Sequence, residues 1–338
     1  MGVQIKDILE FDTIELSSIS NKRIAIDSFN MLYQFLASIR GPDGSSLTDS
    51  KGNVTSHLKG LFNRCVYFKK NGVKAVFIFD GIAPKLKEKE RENRAAKKIE
   101  ADVKYREALE LGVMEDAKKY AQGINKLEPT MVDDAKELIR LFGFPVIVAP
   151  SEGEAQSSYL VKTGHVWAAA SQDFDSLLFG ANYLIRNLSI GTKRKIPGTS
   201  NYKDIEIEWY DLKKNLEKLE ISQDDLIILA ILCGTDFNVG GIKGIGPKKA
   251  LKLVKECGGN YDELFKTLEW DKYFEYLWKE VFLIFKEIPV TEVNTLEFGQ
   301  IKREEIVNFL AERDFDSEMT KRSLNLIKEV KTLNSFFG

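Results

Sequence analysis

The chain has 338 residues, 43% of them hydrophobic and 30% charged, with a net charge of −2 at neutral pH. That length allows one large domain or two ordinary ones with a full core, and the composition excludes a disordered or collagen-like chain. No apolar run approaches the roughly 20 residues of a membrane span, the start "MGVQIKDILEFD" lacks the layout of a secretory signal, and two histidines, His57 and His165, leave little for a catalytic triad or a histidine-ligated zinc.

In chain order, "KRIAID" (22–27) reads as the first buried strand, followed by helical periodicity in "NMLYQFLASIR" and in "TSHLKGLFNRCVYFKKNG", which Gly72 terminates. The strand "KAVFIFD" (74–80) leads into a highly charged helical stretch, 81–128, with no apolar face wide enough for a core. Between 85 and 106 it holds nine basic residues (Lys85, Lys87, Lys89, Arg91, Arg94, Lys97, Lys98, Lys104, Arg106) against five acids, which taken alone describes a solvated helix laced with i,i+4 pairs. A helix "TMVDDAKELIRLFG" is expected after Pro129, ending at Gly143. Strands follow at "FPVIVAP" (144–150), "HVWAAASQD" (165–173) and "NYLIRNL" (182–188). Then come the apolar helix "DLIILAILCGT", the glycine- and lysine-rich "GGIKGIGPKKALKLVKECGG" (240–259), and helical patterns such as "YDELFKTL" and "EEIVNFLAERDF" before a short tail. The scattered cysteines, Cys65, Cys233 and Cys257, have no metal spacing and read as reduced residues of an intracellular protein.

Alternation of strand and helix predicts an α/β fold with a mainly parallel central sheet flanked by helices on both faces. The first strand runs into "DSFNML" with no glycine-rich loop, which disfavours dinucleotide binding. Acids gather where the strands end: Asp27, Asp80, Glu152 and Glu154 of "SEGEAQ", and Asp173 and Asp175 of "ASQDFDSLLFG", with Asp236 in a loop after the apolar helix. In an open parallel sheet those ends line one crevice. Each acid also has a plain structural reading. Asp27 and Asp80 suit helix caps or turns, Ser151 and Glu154 a capping box, and Asp173 and Asp175 a helix start.

Together they are harder to explain that way. Two like charges about 4 Å apart repel by roughly 1 to 4 kcal/mol at effective dielectrics of about 80 to 20, and several such pairs rival a domain's stability of about 5 to 15 kcal/mol. Cations must be present or many of the acids protonated. Oxygen-only ligands select hard ions such as Mg²⁺ or Mn²⁺, and so many carboxylates suit two ions better than one. Setting those seven negative charges aside from the net of −2 leaves about +5 on the rest of the chain, compatible with a polyanionic substrate.

The motifs "IAIDSFNMLYQFL", "TSHLKGLFNR", "VFIFDG", "APSEGEAQ", "ASQDFDSLLFG" and "LCGTDFNVGGIKGIGPKKAL" resemble, in order and spacing, the structure-specific 5′-nuclease superfamily, and within it the flap endonucleases of archaeal and eukaryotic type. The resemblance implies a Mg²⁺-dependent endonuclease with 5′–3′ exonuclease activity that cuts 5′-flap DNA in replication and repair. Two Mg²⁺ (Mn²⁺ can substitute) would be held by Asp27, Asp80, Glu152, Glu154, Asp173, Asp175 and Asp236. It makes 81–128 a helical arch over the single-stranded flap, with Lys87 and Arg94 facing the scissile phosphate. It makes 240–259 a helix–hairpin–helix element that grips duplex DNA through Gly241, Lys243, Gly244, Gly246, Lys248, Lys249 and Lys252, with K⁺ on the carbonyls around Gly241 to Ile245. Tyr33 corresponds to an aromatic residue stacking on the base beside the cut, and Arg40, Leu47 and Thr55 to a pocket for a one-nucleotide 3′ flap. The tail "VKTLNSFFG" resembles a sliding-clamp (PCNA) docking motif with Leu333, Phe336 and Phe337 as anchors, Val330 standing at its usual glutamine position.

The expected organisation is a single nuclease domain, 1–325, followed by the clamp-binding tail, 326–338. Within the domain lie an N-terminal nuclease region of about 1–110, the arch at 81–128, and an internal nuclease region of about 129–258 including the hairpin element. A monomer is expected, with no membrane association, cytoplasmic in a cell without a nucleus and otherwise nuclear. The alternatives are a related 5′ nuclease acting on bubbles or junctions, a clamp-associated DNA-binding protein without catalysis, and a nucleotide phosphatase. The undivided arch disfavours bubble-specific relatives, the complete set of acids disfavours the second, and the lysine-rich hairpin disfavours the third.

Overall fold

Short β-branched and alanine-rich runs form the strands: β1 (Asp12–Ile14), β2 (Arg23–Asp27), β3 (Lys74–Phe79), β4 (Val146–Val148), β5 (Ala168–Ala170), β6 (Tyr183–Arg186), β7 (Lys193–Lys195), β8 (Tyr202–Asp204) and β9 (Ile207–Asp211). The computed structural model describes residues 2–41, 44–124, 126–188, 193–195 and 202–327. One sheet has the order β1-β9-β6-β5-β2-β3-β4, and β7 and β8 form a separate antiparallel pair. From β6 to β4 all pairings are parallel, whereas β9 and β1 add two antiparallel strands at one edge. Ile26 lies between Phe77 and Ala170, so alanines on β5 make room for isoleucines on β2.

The central strands are buried on both sides, and their residues alternate between two cores. Ala25, Val76 and Ile78 enter one, while Ile24, Ile26, Phe77 and Phe79 enter the other. Helices α1 (Ser28–Ser38) and α2 (Ser56–Lys70) cover the second face, whereas α3 (Glu88–Glu110) and α4 (Met114–Ala121) pair with each other. Helix α5 (Pro129–Leu141) returns to the face of α1 and α2. The opposite face is covered by α6 (Gly153–Lys162), α7 (Asp175–Leu178), α8 (Leu212–Leu219), α9 (Gln223–Cys233), α10 (Pro247–Cys257), α11 (Tyr261–Thr267) and α12 (Trp278–Glu287). Helix α9 is apolar all round and buried from Leu226 to Leu232, as a helix enclosed by others must be. Finally α13 (Arg303–Ala311) and α14 (Ser317–Asn325) pack back onto α5 and its core.

Between α12 and α13, residues 288–302 run without regular structure from one helical layer to the other. Gln156 of α6 grips Thr291 through both amide groups, donating to its carbonyl (2.9 Å) and accepting from its N–H (2.7 Å). Further along, the Gly299 amide donates to the Gly143 carbonyl (3.0 Å) and the Lys302 amide to that of Leu141 (2.9 Å). Val290, Val293 and Leu296 pack on one core, Ile301 on the other and Phe298 on both.

The expected mainly parallel α/β architecture is present, with shorter strands than the sequence predicts. "HVWAAASQD" contributes only Ala168–Ala170 and "FPVIVAP" only Val146–Val148. Helix α5 includes Pro129 at its first turn instead of starting after it. The capping box at Ser151 does not form. Glu152 is the N-cap of α6, and the Ser151 hydroxyl instead donates to the Ile82 carbonyl (2.8 Å).

Candidate active site

The strand order reverses direction beside β2: the chain moves outward through β3 and β4, then returns to place β5 on β2's other side. A crevice opens at the carboxyl ends of strands at such a point. Asp27 ends β2, Asp80 follows β3, Glu152 and Glu154 begin α6 after β4, and Asp173 and Asp175 follow β5. Asp236 arrives from the loop after α9. All seven line one cleft of about 960 Å³, together with Tyr33, Lys87 and Arg94.

Hydrogen bonds from backbone amides hold several of these carboxylates. Asp27 caps α1, accepting from the Asn30 amide (3.0 Å), and also accepts from the Ser171 hydroxyl (3.1 Å). Asp80 accepts from the Gly153 amide (2.6 Å). The two-residue spacing of Asp173 and Asp175 has a local cause. Between them Phe174 is buried, stacked edge-on against Tyr210 (5.2 Å between centroids) and covered by the Arg186 guanidinium (4.4 Å from the ring centroid). Arg186 also donates to the Gln172 carbonyl (3.0 Å) and pairs with Glu208 (3.1 Å). The segment is thus gripped at 172 and 174, while Ser171, Asp173 and Asp175 interact with the other acids and the N-terminal strand of chain.

That N-terminal segment reaches the site directly. The Gly2 amide donates to Asp173 and the Val3 amide to Asp175, both at 3.0 Å. A Cβ at position 2 would lie 2.7 Å from the Asp173 Cβ and 2.9 Å from both Asp175 carboxylate oxygens, so only glycine fits. Asp236 sits in a loop tied by Asn238, which is fully buried; its amide donates to the Ile231 carbonyl (2.7 Å) and accepts from the Thr235 N–H (3.1 Å) and hydroxyl (2.7 Å).

Burial makes this cluster electrostatically costly. Burial, then repulsion from Asp80 and Asp173, pushes Asp27 up to about 7. Burial and Asp236 push Asp175 up to about 7. Glu154 is raised well above the ordinary range by burial and then by Asp175, Asp27 and Asp173. Burial also raises Asp80 and Glu152, with the Lys87 ammonium acting in opposition.

The arch supplies the compensating charge. Lys87, in the turn before α3, places its ammonium 2.5 Å from Glu152 and 3.6 Å from Asp236. Arg94, within α3, donates to Asp236 (2.5 Å) and to Glu90 (2.8 Å). Burial works against the charged form of each, yet Glu152 and Asp236 raise Lys87, and Asp236 and Glu90 raise Arg94, above their ordinary values. Among the described residues, no three acidic, histidine or cysteine side chains are drawn around one point closely enough to hold an ion as they stand. The donor set nevertheless fits a hard divalent cation: it is all oxygen and crowded, and burial with mutual repulsion raises Asp27, Glu154 and Asp175.

Tyr33 is on α1 at the cleft, with the Lys98 ammonium 5.1 Å from its ring. Arg40 and Thr55 lie elsewhere, flanking the loop before α2; Arg40 donates to the Gly44 carbonyl (2.8 Å), and the Thr55 amide donates to that of Leu47 (2.7 Å). Helices α9 and α10 pack together as a helical hairpin; of the residues 240–259 expected to form a helix–hairpin–helix element, only α10 is helical. Gly241 is buried at φ 56°, where a Cβ would lie 2.4 Å from the Cys233 carbonyl carbon. Gly246 caps α10, and Lys243, Lys248, Lys249 and Lys252 are exposed along the loop and helix. Leu333, Phe336 and Phe337 fall outside the described residues. Sequence reasoning missed the amides of Gly2 and Val3, Ser171, Arg186 and Asn238. Of these only the Arg186 charge inside an apolar strand offered a signal.

Residues 1–101 match the family described as the XPG N-terminal domain, and residues 143–236 the XPG I-region. Flap endonuclease 1 of Pyrococcus furiosus is 46% identical over 344 residues, spanning 100% of this chain and 99% of its own length. That of Thermofilum pendens is 45% identical over 348 residues, covering 100% of both. Among solved structures, flap endonuclease-1 from Methanococcus jannaschii is similar with a TM-score of 0.74 and 41% identity, over 96% of this chain and 98% of that one. The catalytic core of Rad2 in complex with a DNA substrate shares the fold at 23% identity, with a TM-score of 0.71 over 97% of this chain and 100% of that one. Likeness along the whole chain, on a sheet that brings its acids to the same rim, makes this protein a member of the flap endonuclease family of structure-specific 5′ nucleases.

Proposed function

We propose that the protein hydrolyses phosphodiester bonds at the base of 5′ flaps in branched DNA, with a 5′–3′ exonuclease activity at the same site, in replication and repair. The observation that carries this reading is the cleft itself, with seven carboxylates on its floor and two arch cations lying among them. Two Mg²⁺ or Mn²⁺ ions fit the donor set, one held mainly by Asp27, Asp80, Glu152 and Glu154, the other by Asp173, Asp175 and Asp236. When bound, such a pair supplies Lewis acidity at the phosphodiester and neutralises charge on the departing 3′ oxygen.

The chain's own residues do the rest. Lys87 and Arg94 exchange their carboxylate partners for the scissile phosphate, steering it into the cleft and opposing the charge that builds on it. Tyr33 offers a ring face to the neighbouring base. Gly241, Gly244 and Gly246 let the hairpin backbone approach a phosphate at the α10 N-terminus, where K⁺ also fits, while Lys243, Lys248, Lys249 and Lys252 add sequence-independent attraction. Arg40 and Thr55 serve the 3′ flap, and Leu333, Phe336 and Phe337 dock a sliding clamp. The protein works as an intracellular monomer. A labelled double flap tests the assignment. Cutting is expected with Mg²⁺ and not without it, faster than on bubbles or four-way junctions. Asp175→Ala is expected to lower the rate by at least about a thousandfold while DNA affinity stays within about threefold; undiminished cutting by that variant overturns the mechanism.

A further inference from the structure

The loop carrying Asp236 is held by a part of the chain beyond both matched family regions, the later of which ends at residue 236. Tyr276, in the segment between α11 and α12, donates its hydroxyl hydrogen bond to the Phe237 carbonyl (2.9 Å), 39 residues away in sequence. Tyr276 is itself placed by the Trp270 indole N–H, which donates to the Tyr276 carbonyl (2.6 Å), and by the Phe274 ring (5.5 Å between centroids). Phe237 is the junction. It is buried, its ring meets Phe285 edge-on (5.4 Å), and the Lys87 ammonium lies 5.9 Å from the ring centroid. That ammonium is the one lying against Glu152 and Asp236.

We propose that Tyr276 is a positioning residue for flap cleavage: through the Phe237 carbonyl it fixes the Phe237–Asn238 peptide, one unit beyond Asp236, and with it the Phe237 ring against which Lys87 rests. The proposal rests on the flap-cleavage reading. Asn238 secures the far side of the same loop within its own helix end, and Tyr276 reaches the loop backbone from outside, as Lys87 and Arg94 reach the Asp236 side chain. A misplacement of about 1 Å at a reacting centre can cost about a hundredfold in rate, so a tether one peptide unit from Asp236 bears on the cleavage step.

Tyr276→Phe removes the hydroxyl and leaves the ring packing. In single-turnover cleavage of a double flap with saturating enzyme, its rate constant is expected to fall about threefold to tenfold, with DNA dissociation constant within about twofold and thermal midpoint within about 3 °C of the parent. The same substitution at exposed Tyr273, which has no contact with Phe237, is expected to change nothing. Combined with Lys87→Ala, the Tyr276→Phe loss is expected to be non-additive by about twofold or more. A rate within twofold of the parent, strict additivity with Lys87→Ala, or an equal loss in Tyr273→Phe overturns the proposal. If Tyr276→Phe does not fold, Phe237→Leu decides: a slower rate at unchanged affinity supports the proposal and a parental rate ends it. An inactive parent overturns the flap reading and this proposal together, whereas an active parent with an equally active variant overturns the proposal alone.

Discussion

Gly2 is a residue whose importance lies in what it lacks. Gly2→Val would push a side chain into Asp173 and Asp175, and the expected result is cleavage slowed by about tenfold or more, accompanied by a lower thermal midpoint because the adjoining Val3 and Ile5 are buried in one core. A stopped-flow cleavage assay alongside calorimetry checks it; parental cleavage would show that the Gly2 and Val3 amides do not set those carboxylates. His57 makes a different prediction. It is buried on α2 near Asp134 and Arg313, and burial lowers its pKa from 6.5 to about 4. The folded chain therefore binds this proton more weakly than the unfolded chain. Its contribution is whole above pH 6.5 and is lost as pH falls towards 4, reaching about 3 kcal/mol at the acid end. Thermal midpoints of His57→Leu should fall less steeply than the parent's between pH 6.5 and 4; parallel curves would refute the assignment. At this scale the seven acids were legible because charge at the end of an apolar run is visible in the sequence. The groups that hold them were not. The Gly2 and Val3 amides meet partners 171 and 172 residues away, and a backbone donor leaves no mark in residue type.

The elements divide in the same way. Strands β2, β3 and β6 follow from β-branched runs bounded by turns, and α1, α2 and α5 from their periodicity. The antiparallel strands β1, at the sheet edge, and β9 beside it escaped notice because "DTI" is three residues long and "IEWYD" mixes acids with its apolar positions, as partly exposed antiparallel strands do. The charge of 81–128 was plain, but its two inward pairs, Lys87 with Glu152 and Arg94 with Asp236, depend on how that stretch lies over the cleft. For the α9–α10 hairpin, the exposed Lys248 and Lys249 predict that each alanine substitution weakens binding equally across DNA sequences and reduces the slope of log affinity against log salt by about one. Fluorescence anisotropy over a salt series checks this; an unchanged slope would remove these lysines from the DNA interface. Cleavage at saturating enzyme should stay near the parental rate, since neither lysine lines the cleft.

For the molecule as a whole, the sheet separates two cores, and residues 288–302 join the helical layers that enclose them. No sequence pattern announced this crossing, because an extended segment held by backbone hydrogen bonds has neither period nor motif. Gln156→Leu deprives both the N–H and the C=O of Thr291 of their partners, and the expected loss is about 2 to 3 kcal/mol of stability. Chemical denaturation measures it; a loss under about 0.5 kcal/mol would mean that water replaces the glutamine at no cost. The pairing of Gln156 with Thr291 spans 135 positions. This strap therefore closes a large loop of chain, tying α6, which carries Glu154, to the segment that leads into α13 and α14.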